Sequence, residues 1–136
     1  MLSIEARIEK HAQHTPNKLA VVCAHGAVTY QQLLQQATTQ AQQYQGMQQQ
    51  GVVLTATSDV EFLVSYFAVH MAGAVAVLLP ATATPQQVHQ MQNALHSFIF
   101  PEGSADVLFT TGTTGTPKGA VISTQAIAAT AENIIH

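Results

Sequence analysis

The chain has 136 residues, 47% of them apolar and only 8% charged, with a formal net charge of −3. That length suits one domain with a real core, and the apolar share excludes wholesale disorder. Four Lys and Arg residues without a basic stripe exclude a nucleic-acid backbone as partner.

Gln and Thr carry the polar surface. The scarcity of charge fits either an unusual surface or one that further protein covers. Cys23 is the single cysteine, so no intramolecular disulfide can form, which suits a reducing cytoplasm. The segment Met1-Leu2-Ser3-Ile4-Glu5-Ala6-Arg7 has charges where a signal peptide needs an apolar core.

In chain order, Ser3 can cap a first helix through about Ala12, with Ile4, Ile8 and Ala12 on one face. Thr15-Pro16-Asn17 breaks it. Leu19 to Ala24 and Ala27 to Tyr30 read as short strands joined across His25-Gly26 as a hairpin. A helix follows with Leu33, Leu34, Ala37, Ala41 and Tyr44 at helical spacing. The Gln-rich stretch from Gln40 to Gln50 reads as a solvated helix end and a loop around Gly46 and Gly51. Val52 to Thr57 is a strand.

The run from Phe62 to Leu79 is almost continuously apolar, near the ~18 residues that suggest a membrane span. Start and stop signals divide it. Ser58-Asp59-Val60-Glu61 is a capping-box start, Gly73 a helix stop, and Ala74 to Leu79 a strand buried on both faces. No transmembrane segment is therefore expected. Thr84-Pro85-Gln86-Gln87 starts another helix, with Val88, Met91 and Leu95 inward. Phe98 to Gly103 is a connector with room for a short strand. Val107 to Thr110 and Ala120 to Ser123 read as strands, and Ser123 or Thr124 can cap a last helix. The expected fold is α/β: a mostly parallel sheet flanked by helices, with an N-terminal hairpin.

Between the last two strands lies Thr110-Thr111-Gly112-Thr113-Thr114-Gly115-Thr116-Pro117-Lys118-Gly119. Glycines let backbone N–H groups turn toward an anion without a Cβ in the way. Threonine hydroxyls donate further hydrogen bonds. Lys118, the only Lys or Arg after Lys18, supplies compensating charge. The stretch lacks the Gly-Lys-Ser/Thr ending of a Walker A loop and the glycine spacing of a dinucleotide fingerprint. A plain surface turn is the competing reading. Five threonines, a proline and a lysine between two β segments favour phosphate binding.

Other candidates are weaker. His89 and His96 lack the spacing and companions of a zinc pair and read as helix surface. His70 reads as a satisfied core residue, His25 as a turn residue, and Cys23 as a small core hydrophobe.

Residues 108–119 resemble the AMP-binding signature of the adenylate-forming enzymes, the superfamily of acyl-CoA synthetases, peptide-synthetase adenylation domains and luciferases. Thr111 for Ser is the departure within the motif, and it keeps the hydroxyl. The resemblance extends upstream. Thr15 to Val22 with Val28-Thr29-Tyr30-Gln31-Gln32-Leu33 is similar to the family's opening hairpin and first core helix. Gly73 to Pro80 followed by Thr84-Pro85 is similar to its second core motif. Two departures stand out. The space between the Pro85 helix and the motif is short, and Thr124 stands where many members have a histidine.

The resemblance implies an ATP-dependent, AMP-forming acid–thiol ligase of the acyl-CoA synthetase type. A small-molecule carboxylic acid would be activated as its acyl-adenylate and passed to CoA or a carrier thiol. Thr110, Thr111, Gly112, Thr113, Thr114, Gly115, Thr116, Lys118 and Gly119 would bind the ATP phosphates, with Lys118 offsetting charge on the departing pyrophosphate. The motifs that hold magnesium, bind ribose and supply the catalytic lysine have no match here, so no metal-ligating or catalytic residue is assigned. Residues 1–136 are accordingly expected to be the N-terminal part of an AMP-binding domain, shortened by cloning, proteolysis or gene structure. Such a piece would not be catalytically competent alone. Its expected partner is the missing remainder or a dimer mate. Part of a peptide-synthetase adenylation domain, or a free-standing non-catalytic binding module, remain as alternatives.

Overall fold

A computed structural model of the chain describes residues 4–23, 26–57, 59–111 and 117–123. Helix α1 (Ile4–His14) reaches past Ala12 because the N–H and Oγ1 of Thr15 both donate to the His11 carbonyl, at 2.7 and 3.1 Å. Its expected cap, Ser3, lies outside the described residues. Strands β1 (Leu19–Cys23) and β2 (Gly26–Thr29) pair antiparallel, with Cys23 opposite Gly26. His25 lies outside the described residues.

Tyr30, which alternation assigns to the second strand, opens helix α2 (Tyr30–Ala41) instead. The cause is a reciprocal cap: Thr29 Oγ1 accepts from the Gln32 N–H at 3.2 Å, and Gln32 Oε1 accepts from the Thr29 N–H at 3.0 Å. Leu33 and Ala37 are buried on α2. Leu33 joins Ile8, Val28 and Val64 in a cluster that ties α1, β2 and α2 to the next helix.

The main sheet has four strands in the order β3 (Gly51–Ala56), β4 (Val75–Pro80), β5 (Ser104–Thr111), β6 (Pro117–Ser123). β3 to β5 run parallel, and β6 returns antiparallel along β5. Helix α3 (Val60–Met71) connects β3 to β4, and helix α4 (Pro85–Ala94) connects β4 to β5. The cap of α3 is Asp59: its Oδ1 accepts from the Phe62 N–H at 2.9 Å, so the helix begins one residue later than the box motif places it, and Ser58 lies outside the described residues. Gly73 ends α3 at φ +75°, a conformation that costs glycine little. Thr84 and Gln87 form the expected box, with Pro85 in the first turn of α4.

The sheet is covered on both faces. Val75, Val77 and Val107 pack with Phe100, Met91 and Leu95 on the α4 side. Ala76, Val52 and Leu54 pack with Val69 and Tyr66 on the α3 side. Val75, Ala76 and Val77 are wholly excluded from solvent, as expected of a central parallel strand. Among the described residues no helix is long and apolar enough to cross a membrane.

Candidate functional site

Because β3, β4 and β5 are parallel, Ala56, Pro80 and Thr111 end on the same edge of the sheet. Ligands of open α/β sheets bind outside the carboxyl ends of the strands. The Gly/Thr/Lys motif stands at that edge. Thr110 and Thr111 are the last residues of β5, and Pro117, Lys118 and Gly119 are the first of β6. Strand pairing therefore runs further into the motif than sequence patterning places it. It sets Phe109 opposite Gly119, Thr110 opposite Lys118 and Thr111 opposite Pro117. Gly112, Thr113, Thr114, Gly115 and Thr116 lie outside the described residues, as does the helix expected after Ser123.

The arms of this hairpin run past the ladder that pairs β5 with β4. Pairing between β4 and β5 covers Ala76–Asp106, Val77–Val107 and Leu78–Leu108. Phe109, Thr110 and Thr111 lie beyond the last of these pairs, although β4 itself continues to Pro80. β6 is their ladder partner among the described residues.

Where the parallel pairing begins, β5 buries a carboxylate. Asp106 is 5% exposed and paired with Ala76, and it turns toward α3. Its Oδ2 accepts from the Tyr66 hydroxyl at 2.7 Å, and its Oδ1 accepts from the His70 Nε2–H at 2.9 Å. Tyr66 and His70 sit one helical turn apart, with ring centroids 4.5 Å from each other in an edge-on arrangement. A buried carboxylate is tolerated only when such donors replace its water. His70 is thus a satisfied core residue, as its sequence setting suggests.

Burial pushes the Tyr66 phenol well above the usual tyrosine range. The hydrogen bond to Asp106, the charge of Asp106 and the charge of Glu5 on α1 push the same way. Tyr66 therefore remains a donor. With the folded value raised above an unfolded value of about 10, its contribution to stability is intact below that pH and is lost as the pH rises beyond it. In urea titrations the parent should lose stability at alkaline pH faster than Tyr66→Phe. The difference is at most about 1.4 kcal/mol per pH unit, less to the extent that solvent reaches the ring. Parallel curves would show that the phenol ionises freely.

Sequence reading missed Asp106 as a partner and left it at the end of a connector. The available signal was a carboxylate inside Ala105-Asp106-Val107-Leu108, with Tyr66 and His70 four apart on an apolar helix. Cys23 is half-buried in β1. His89 and His96 are exposed. Among the described residues no group of three or more His, Cys, Asp or Glu side chains could hold a metal ion.

The chain belongs to the AMP-binding enzyme family, whose pattern matches residues 8–100. The fold is shared with solved N-terminal subdomains and domains of other proteins. The Klebsiella oxytoca NpsA N-terminal subdomain, solved in complex with 3-hydroxyanthranilyl-AMSN, superposes with a TM-score of 0.75 at 18% identity, over 94% of this chain and 42% of that one. The inhibitor-bound N-terminal domain of FACL13 from Mycobacterium tuberculosis gives 0.74 at 17% identity, over 94% and 46%. This chain thus spans less than half the length of those structures. No curated protein matches it by sequence.

Proposed function

We propose that residues 1–136 form the N-terminal part of an ATP-dependent, AMP-forming acid–thiol ligase, and that residues 110–119 hold the ATP phosphates. The observation that supports this reading most is the hairpin register. It sets the Thr110 and Lys118 backbones opposite each other at the carboxyl edge of the parallel sheet. A segment rich in Gly and Thr between two such strands offers several N–H and hydroxyl donors to one polyanion. In the reaction, a carboxylate oxygen of a small organic acid attacks the α-phosphorus of ATP. The bond to the bridging oxygen breaks, and pyrophosphate leaves with that electron pair. Lys118 would offset the charge on the departing group, a positioning and electrostatic role.

CoA or a carrier thiol would then take the acyl group, in the cytoplasm. Magnesium, which would lend positive charge to the phosphates, finds no ligand set among the described residues. No part of the role proposed for this chain runs through it.

The test is MgATP affinity. Lys118→Ala should leave the urea midpoint within experimental error, because lysine is seldom a core residue and its truncation contributes little to folding. It should weaken MgATP binding about tenfold or more, as loss of a charge-assisted phosphate contact does. Equal affinity in parent and variant would refute the role given to Lys118.

A further inference from the structure

We propose that Asp106 is a positioning residue for the phosphate-binding hairpin, acting through the hydrogen bonds that tie β5 to α3. Three observations carry this. First, the arms holding Thr110, Thr111, Lys118 and Gly119 project past the parallel pairing, so their direction is set by how β5 is seated at its root. Second, Asp106 lies in that root, and both of its carboxylate oxygens are engaged by side chains of α3, Tyr66 and His70. Third, the next position on the α3-facing side of β5 is less firmly anchored. Leu108, the next residue on the same face as Asp106, is 38% exposed.

Apolar packing resists separation but allows sliding. Two hydrogen bonds to one carboxylate fix both the height and the rotation of β5 against α3. A small rotation at Asp106 grows along the arms, beyond the β4–β5 ladder, and moves Thr110 and Lys118 by more than it moves the root. α3 is itself firmly placed. Val64, Ala68, Val69 and His70 are buried along it, and Gln40 Nε2 donates to Ser65 Oγ at 2.7 Å from α2. The tie therefore refers the hairpin to the body of the domain. The tie is a claim about structure. Its consequence for nucleotide rests on the phosphate reading above.

The experiment uses the full chain labelled with ¹⁵N, with Asp106→Asn and Tyr66→Phe as variants. Asn keeps the shape of Asp106 and removes its charge, and Phe keeps the Tyr66 ring and removes one donor. Both variants should displace the amide resonances of Thr110, Thr111, Lys118 and Gly119 while Gly26 and Gly46 stay in place. Asp106→Asn should also weaken MgATP binding by about tenfold, the scale of one misplaced hydrogen-bonding contact. If Asp106→Asn does not fold, Tyr66→Phe carries the same comparison.

Unmoved arm resonances in a folded variant overturn the inference, and if the parent binds MgATP the phosphate reading survives that result. Displaced arm resonances with no MgATP binding by the parent support the positioning role and remove the phosphate reading instead. A residue that only stabilised the core would lower the urea midpoint and leave those four amides where they are.

Discussion

Asp106→Ala should lower the folding free energy by about 3–5 kcal/mol, the scale seen when one partner of a buried ion pair or polar network is removed. Domains of this size have roughly 5–15 kcal/mol in total, so the variant should be partly unfolded near physiological temperature. The cost does not arise from lost packing, because Asp106 is small. It comes from what stays behind. The Tyr66 hydroxyl and His70 Nε2 keep their burial and lose the carboxylate that accepts from them. The urea midpoint reads the loss directly. The combined change Tyr66→Phe, His70→Leu and Asp106→Leu supplies the control. It removes every polar atom of the network at similar volume, and it should recover most of the stability or exceed the parent. A triple variant as unstable as Asp106→Ala would mean that shape, not polarity, governs the site.

That network also shows where sequence patterning stops. The parallel strand Val75–Pro80 was legible because it is buried on both faces, and its own residues are apolar without interruption. The helix starts at Thr84 and near Asp59 were legible because a cap is a local bond between residues three apart. The start at Thr29 obeys the same chemistry. It was hidden because Val28-Thr29-Tyr30 also satisfies β propensity, and only the Gln32 side chain settles the competition. Asp106 needs partners that are 36 and 40 positions away in sequence. No local window contains them.

The motif itself stands out by composition, and the phosphate binding proposed for it was argued from residue types alone. What strand patterning could not place was the boundary between arm and turn. Gly and Pro weaken a strand prediction, yet pairing with a neighbour carries the ladder as far as Thr111 and Pro117. The Thr110–Lys118 pairing follows from that ladder and from nothing in the local spacing.

The connector after α4 carries the second large effect. Phe100→Ala should cost about 3–5 kcal/mol, because a large ring is deleted from a closed layer. Phe100 is 6% exposed and packs with Val75, Val77 and Val107. Its ring approaches Gly51 so closely that a Cβ there would stand 3.1 Å from Cε2, which is why a side chain at 51 would crowd the same space. The backbone locks the ring in place. The Phe100 N–H donates to the Gln49 carbonyl at 2.7 Å, and the Phe100 carbonyl accepts from Gln49 Nε2 at 3.1 Å. Gln49 adopts φ +63° there, a left-handed conformation that a non-glycine residue holds at a cost and that these two bonds help to offset. Phe98 provides the contrast. It meets Phe100 edge-on at 4.8 Å but is 49% exposed, so Phe98→Ala should cost about 1 kcal/mol or less. Urea midpoints for the two variants separate these roles, and equal losses would show that the pair acts as one surface patch. A segment that patterning assigns to a linker thus closes the α4 side of the sheet, because a single aromatic side chain fills the space between β3, β4 and β5.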